Sequence, residues 1–316
     1  MIYIKAFLLP IVIIIAAGNL FIKFIKNINF GQQIRDYGPQ SHLKKAGIPT
    51  MGGLMIIFTF LLIALFLVDL NLNTAAVLVI TFLMGLAGFL DDFLKIKFSR
   101  SLGLKAWQKL FLQFLAALIA AVVLINFTQT PALLLPFWGS IELNNMLRFV
   151  LSLFVVIGSA NAVNLTDGLD GLAASVTVIV CLSFAAIFYL LALEQLMIMM
   201  LIMAGCCTAF LWFNSYPAEI FMGDVGSLAI GGFLGATAVL SGTEIYLLII
   251  GIIYVIETLS VMIQVPYFKI TGGKRVFKMT PIHHHFELGG TAENKIVVRF
   301  VIITIIMALF SFSSFL

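Results

Sequence analysis

The sequence predicts an all-α, polytopic integral membrane protein with ten transmembrane helices in one domain spanning residues 1–316. Three observations carry that prediction. First, 62% of the 316 residues are hydrophobic and only 10% are charged, against about a quarter charged in soluble domains. Second, the apolar residues fall in runs long enough for a helix to cross a bilayer, about 20 residues each, and too long for the alternating strands of a barrel. Third, the basic residues gather in alternate loops. This composition excludes a disordered chain, a water-soluble globule and a nucleic-acid-binding module.

The runs fall near 2–23, 51–70, 74–92, 107–127, 144–162, 171–192, 194–212, 224–242, 245–266 and 295–315. The first resembles a signal peptide at Lys5 and Ala16-Ala17-Gly18, but the stronger positive charge follows it, so it is read as a retained span. Lys23, Lys26, Arg35, Lys44 and Lys45 come after run one. Lys95, Lys97, Arg100, Lys105 and Lys109 come after run three, and Lys269, Lys274, Arg275, Lys278 and Lys295 after run nine. These are fifteen of the 18 Lys and Arg; the breaks near 71–73, 128–143, 193 and 243 carry none. The positive-inside rule then places the loops near 24–50, 93–106, 163–170, 213–223 and 267–294 in the cytoplasm and both termini outside. Cys181, Cys206 and Cys207 lie inside apolar runs without metal-ligand spacing and read as packing residues.

Most of the scarce polar residues cluster in or beside those cytoplasmic loops, where a simple bundle does not need them. Asp91-Asp92-Phe93-Leu94-Lys95 puts two carboxylates one turn before a lysine, a pattern suited to Mg²⁺ and phosphate together. It also suits a helix end marked by charge. Asn161, Asn164, Asp167 and Asp170 recur every three residues, so on a helical turn they line one face; a capped polar turn between helices is the alternative. Asn214 through Ser227 carries Phe221, able to stack on a base, and Asp224, either an N-cap or a metal ligand. His283-His284-His285 cannot all face one ion from a helix and match Mg²⁺ poorly, which assigns them to phosphate contacts and proton handling. Lys44 and Lys45, beside Gly-rich backbone, suit an anionic substrate or lipid headgroups. Glu257 and Gln264 share a face inside run nine, where a carboxylate has either a functional or a structural partner.

Together these motifs resemble the polyprenyl-phosphate N-acetylhexosamine-1-phosphate transferase superfamily. The residues are Asp91-Asp92-x-x-Lys95, Asn164-Leu165-Thr166-Asp167-Gly168-Leu169-Asp170-Gly171 and Phe221-Met222-Gly223-Asp224-Val225-Gly226-Ser227. Pro281-Ile282-His283-His284-His285-Phe286-Glu287, Gly38-Pro39-Gln40-Ser41-His42 and Pro49-Thr50-Met51-Gly52-Gly53 resemble the phospho-N-acetylmuramoyl-pentapeptide transferase family within it. The resemblance covers essentially the whole chain. It implies ten transmembrane helices with periplasmic termini, in the bacterial cytoplasmic membrane, with the active site facing the cytoplasm. It implies transfer of phospho-MurNAc-pentapeptide from UDP-MurNAc-pentapeptide to undecaprenyl phosphate, giving lipid I and UMP. Further implications are Mg²⁺ dependence, a homodimer, no nucleic-acid partner, and inhibition by nucleoside antibiotics such as tunicamycin and the muraymycins.

By the same resemblance Asp224 ligates Mg²⁺, while Asp91 and Asp92 act near the lipid phosphate. Asp170 and Phe221 hold uracil with Lys44 nearby, and Asn164, Asp167 and Asn214 contact the nucleotide sugar. Lys95, Lys109, His283 and His284 complete the pyrophosphate site. A GlcNAc-1-phosphate transferase of the same superfamily is the nearer alternative, and a lipid or solute transporter the more distant one. Transporters place their polar groups at the membrane midplane, whereas here they sit at the ends of spans.

Overall fold

The computed structural model describes residues 1–27, 47–98, 103–126 and 131–315. Lys44 and Gly38-Pro39-Gln40-Ser41-His42 lie outside the described residues. Helices α1 (Ile2–Asn27), α2 (Gly53–Leu67), α3 (Leu72–Lys97), α4 (Ala106–Asn126), α5 (Asn145–Thr166), α6 (Leu172–Leu190), α7 (Glu194–Asn214) and α8 (Gly223–Ser241) follow in order. Then come α9 (Glu244–Ile250), α10 (Ile252–Ile270), α11 (Ile282–Glu287) and α12 (Glu293–Phe312). Among the described residues, nine helices are long and apolar enough to cross a membrane, counting α12 with the turn that extends it to Phe315. The second expected span is the 15-residue α2, which is apolar but shorter.

Local chemistry sets the helix ends that matter. Asn71 caps α3 by accepting the Thr74 N–H at 3.0 Å, while its own N–H donates to Thr74 Oγ1 at 2.9 Å, a reciprocal box that fixes where the helix starts. From there α3 continues past the expected end at 92 to Lys97, so Asp91, Asp92 and Lys95 all ride on its last turns. Helix α5 is capped by Asn144, whose side chain accepts the Leu147 N–H at 2.9 Å, and it runs on through Asn164.

One expectation is corrected and one connection gains detail. The ninth run is broken into α9 and α10 at Gly251, whose lack of a side chain lowers helix stability by about 1 kcal/mol relative to Ala. The break near 128–143 holds a small antiparallel hairpin, β1 (Leu133–Leu135) and β2 (Gly139–Ile141), with Leu133 opposite Ile141. Its Leu134 N–H donates to Gly242 O at 2.8 Å, which docks it on the end of α8.

Helix α8 is the axis of the bundle. Every residue from Val225 to Ser241 is buried, with α3 and α5 as its main neighbours and α2 beside them. Small residues permit this closeness. A side chain at Gly88 of α3 would run into the Asp224 carbonyl, and one at Gly53 of α2 into the Gly226 backbone. Helices α1, α6 and α7 pack as a second group, and α12 lies against α6. Outward-facing Phe58, Phe66, Leu20 and Phe154 are each at least 70% exposed, the surface of a chain that meets lipid rather than water.

Candidate active site

The ends of α3 and α5, and the starts of α4 and α8, meet at one end of the bundle. There Asp91, Asp92 and Asp224 each offer a carboxylate oxygen within 4.8 Å of the others. Asp91 and Asp92 are each only 4% exposed. Their geometry is ordered oxygen by oxygen. Asp91 Oδ1 accepts the Leu104 N–H at 2.8 Å, Asp92 Oδ2 accepts the Val225 N–H at 3.1 Å, and Asp224 Oδ1 accepts from Asn164 Nδ2 at 2.8 Å. The second oxygen of each faces one ammonium: Lys95 Nζ lies 2.6 Å from Asp91 Oδ2, 3.3 Å from Asp92 Oδ1 and 3.0 Å from Asp224 Oδ2. The i,i+3 and i,i+4 spacing on α3 brings Lys95 to both of its own helix's acids. Lys109 Nζ reaches Asp224 Oδ2 at 2.8 Å from α4, and Asn164 Oδ1 at 3.4 Å.

Asp167 closes the end of α5 as its C-cap. Burial, then the Asp224 and Asp92 carboxylates, push its carboxyl up to about 8, against the Gly223 N–H that favours the charged form. Asp170 turns elsewhere: its Oδ2 accepts the Ala218 N–H at 3.0 Å, and its own N–H donates to Glu293 Oε1 at 2.7 Å. Phe221 is half-buried. Its N–H donates to Pro49 O at 2.9 Å and its carbonyl accepts the Gly52 N–H at 2.8 Å, so the Pro49–Gly53 segment lines the same loop. Asn214 is spent on scaffolding. Its Oδ1 accepts the Gly171 N–H at 3.1 Å and its Nδ2 donates to Ile220 O at 2.9 Å.

The three consecutive histidines point in three directions. His283 is fully buried, with Nδ1 3.0 Å from Glu257 Oε2 and its ring against Gly168, where a side chain would collide with it. His284 Nδ1 lies 3.1 Å from Glu287 Oε2. His285 Nδ1 accepts the Lys278 N–H at 3.1 Å. Glu257 is therefore tied to the histidine run, while Gln264 holds the loop before it by accepting the Val276 and Phe277 N–H groups at 2.9 and 3.1 Å.

Sequence reasoning missed several partners. Asn164 also donates to Ser227 Oγ at 2.9 Å. Asn161 donates to Gln113 Oε1 at 2.7 Å, so it braces α5 against α4 rather than facing the cluster. Gln113 is fully buried, and a lone amide inside an apolar run was the signal for it. Glu293 carries no such signal beyond its position at the start of α12.

An acidic trio facing two lysines, at a membrane-bundle end, is equipped to hold a hard cation and a diphosphate. The pattern described as Glycosyl transferase family 4 matches residues 74–242, and Phospho-N-acetylmuramoyl-pentapeptide-transferase signature 1 matches residues 45–57. Similar curated proteins carry the name phospho-N-acetylmuramoyl-pentapeptide-transferase. That of Carboxydothermus hydrogenoformans is 43% identical, covering 98% of this chain and 97% of its own. That of Rickettsia prowazekii is 43% identical over 98% of this chain and 91% of its own. That of Rickettsia felis is 44% identical over 94% and 88%.

Proposed function

The chain belongs to glycosyl transferase family 4 and, within it, to the phospho-N-acetylmuramoyl-pentapeptide-transferases, and we propose that the acidic trio with Lys95 and Lys109 is where it works. It is a multi-pass membrane transferase of peptidoglycan synthesis. It moves phospho-MurNAc-pentapeptide from UDP-MurNAc-pentapeptide to undecaprenyl phosphate, producing lipid I and UMP.

The observation that carries the site assignment is the meeting of Asp91, Asp92 and Asp224 around a single ammonium at one end of the bundle. An oxygen of the lipid phosphate attacks the β-phosphorus of the nucleotide sugar. The bond from that phosphorus to the bridging oxygen breaks, and UMP leaves with the electron pair. Both substrates are anions, so the chain's task is to cancel repulsion and align them. Lys109, from α4, and Lys95, from α3, supply positive charge at the diphosphate. Asp91 accepts a proton when the acceptor arrives as a monoanion; a phosphate monoester with its second pKa near 6 is mostly dianionic at pH 7, so a strong base is not required. Phe221, Asp170 and Lys44 are assigned to the uracil side. Asn164, Asp167 and Asn214 are assigned to the nucleotide-sugar side, Asn214 through the loop it braces. His283 acts by holding the Gly168 turn against Glu257, and His284 closes the rim.

The donor set fits Mg²⁺. All three groups are hard oxygens, and in each carboxylate one oxygen is already fixed by a neutral donor while the other points inward. Asp224, with Asp91 and Asp92 beside it, would hold the ion, which when bound neutralises diphosphate charge. We further assign both termini to the periplasm, the trio to the cytoplasmic face of the bacterial inner membrane, a homodimeric state, and sensitivity to tunicamycin and the muraymycins. The deciding experiment incubates purified protein with undecaprenyl phosphate and either UDP-MurNAc-pentapeptide or UDP-GlcNAc and follows UMP. Release with the first alone is expected; release with UDP-GlcNAc alone overturns the substrate assignment. A stoichiometric burst of UMP without lipid acceptor, together with a trapped phosphosugar-enzyme adduct, overturns direct attack.

A further inference from the structure

We propose that Lys95 is an exchangeable occupant of the carboxylate cage: a divalent cation and the Lys95 ammonium take the same place in turn, and metal entry sends Lys95 outward toward the substrate phosphates. The inference rests on the metal reading given above and adds to it an order of events.

The geometry has a division of labour. The outer oxygens of Asp91, Asp92 and Asp224 are pinned by Leu104 N–H, Val225 N–H and Asn164 Nδ2, none of which carries charge. The inner oxygens, Asp91 Oδ2, Asp92 Oδ1 and Asp224 Oδ2, all lie within 3.3 Å of Lys95 Nζ. The frame of the cage thus does not depend on the cation inside it. Three carboxylates this close repel one another, which a cation among them or a proton on one of them relieves, and here an ammonium holds the place. An ammonium ion does so with its three donors. A second cation placed among the same inner oxygens would stand within a few ångströms of Nζ, where like-charge repulsion in a partly desolvated site forbids joint occupancy.

Lys95 is built to leave. Its side chain is 32% exposed, whereas those of Asp91 and Asp92 are 5% and 4% exposed. A lysine is a charge on a flexible four-carbon stem, so it swings outward while the acids stay. Lys109 differs: it touches the trio only at Asp224 Oδ2 and also reaches Asn164 Oδ1, so on metal entry it gives up one contact and keeps the other. Exchange makes metal and diphosphate binding cooperative, because metal entry both fills the cage and releases a cation for the incoming anion.

The test uses the full chain in detergent micelles without substrate. Binding of Mn²⁺, as a paramagnetic probe, is followed by the loss of its free-ion signal. In parallel, a water-soluble amine-acylating reagent labels lysines for mass spectrometry across a Mg²⁺ titration, with exposed Lys269 as the reference. The expected results are that Lys95 labels at least severalfold faster at saturating Mg²⁺ than without metal, with Lys269 unchanged, and that Lys95→Met binds Mn²⁺ about tenfold or more tighter than wild type. The variant's thermal midpoint in chelator should drop and recover with metal. Mn²⁺ binding to wild type with Lys95 labelling unchanged or slowed overturns the exchange and leaves the metal site standing. Absence of Mn²⁺ binding in both proteins overturns the exchange together with the metal assignment beneath it.

Discussion

Charge is buried at both ends of this bundle, in two different ways. At the end opposite the acidic trio, Arg148 and Glu244 form a one-to-one pair 3.0 Å apart, 1% and 2% exposed. Beyond a 3.4 Å contact from Arg148 Nη2 to Val239 O, Arg148 Nε finds no hydrogen-bond partner among the described residues. At the other end three carboxylates face two ammoniums, and Lys95 and Lys109 are 32% and 18% exposed. The first arrangement is balanced and sealed. The second carries an excess negative charge, has all its outer oxygens satisfied, and is open on its cationic side. A sealed pair serves packing, at a desolvation cost that makes it a poor stabiliser. An open, unbalanced cluster is prepared for a ligand.

Four substitutions break or sharpen that contrast. Asp224→Asn removes the acid that both lysines share and should lower UMP release by about 10³-fold or more, with the thermal midpoint little changed; near-wild-type turnover would take Asp224 out of the reaction centre. Glu244→Gln should do the reverse. It leaves Arg148 uncompensated and destabilises by about 3–5 kcal/mol, read as a lowered thermal midpoint, while kcat of the folded fraction stays near wild type. A large kcat loss would mean the two ends are coupled. Replacing both partners, Arg148→Met with Glu244→Leu, should recover most of that stability, since apolar replacement of a buried pair is often neutral; a double variant worse than Glu244→Gln alone would show that the pair itself is required.

The smallest effect is one of pH. Burial, with the Asp224 and Asp92 carboxylates beside it, pushes the Asp167 carboxyl from its ordinary value of 3.8 up to about 8. The folded state therefore binds more protons between those values, and stability falls as pH rises through that window. Asp167→Asn should flatten the decline in thermal midpoint between about pH 4 and 8, measured in chelator. An unchanged slope would assign the decline to other groups.

How far the sequence led depended on how local each relation was. Lys95 against Asp91 and Asp92 follows from helical spacing alone, and the grouping of Asp224 with them followed from motif and loop parity. The Arg148–Glu244 pair was invisible: the partners are 96 positions apart, Arg148 in a run read as lipid-spanning and Glu244 in the short break near 243, and neither belongs to a motif. The break at Gly251 was missed because a glycine in an apolar run leaves hydropathy unchanged. The direction each histidine takes was not legible, for a geometric reason. Successive residues on a six-residue helix point about 100° apart, and only packing decided that His283 would face Glu257 and Gly168.

Helix α8 has one more consequence. From Val225 to Ser241 it touches protein on every side. Bilayers vary in thickness, and membrane proteins answer by tilting or shifting the segments that meet lipid. Such adjustments fall first on the outer helices, which bear the exposed aromatic and aliphatic side chains. The carboxylate at the head of the central rod is insulated from them, so Asp224 keeps its place in the bundle while the fluid around the enzyme changes composition.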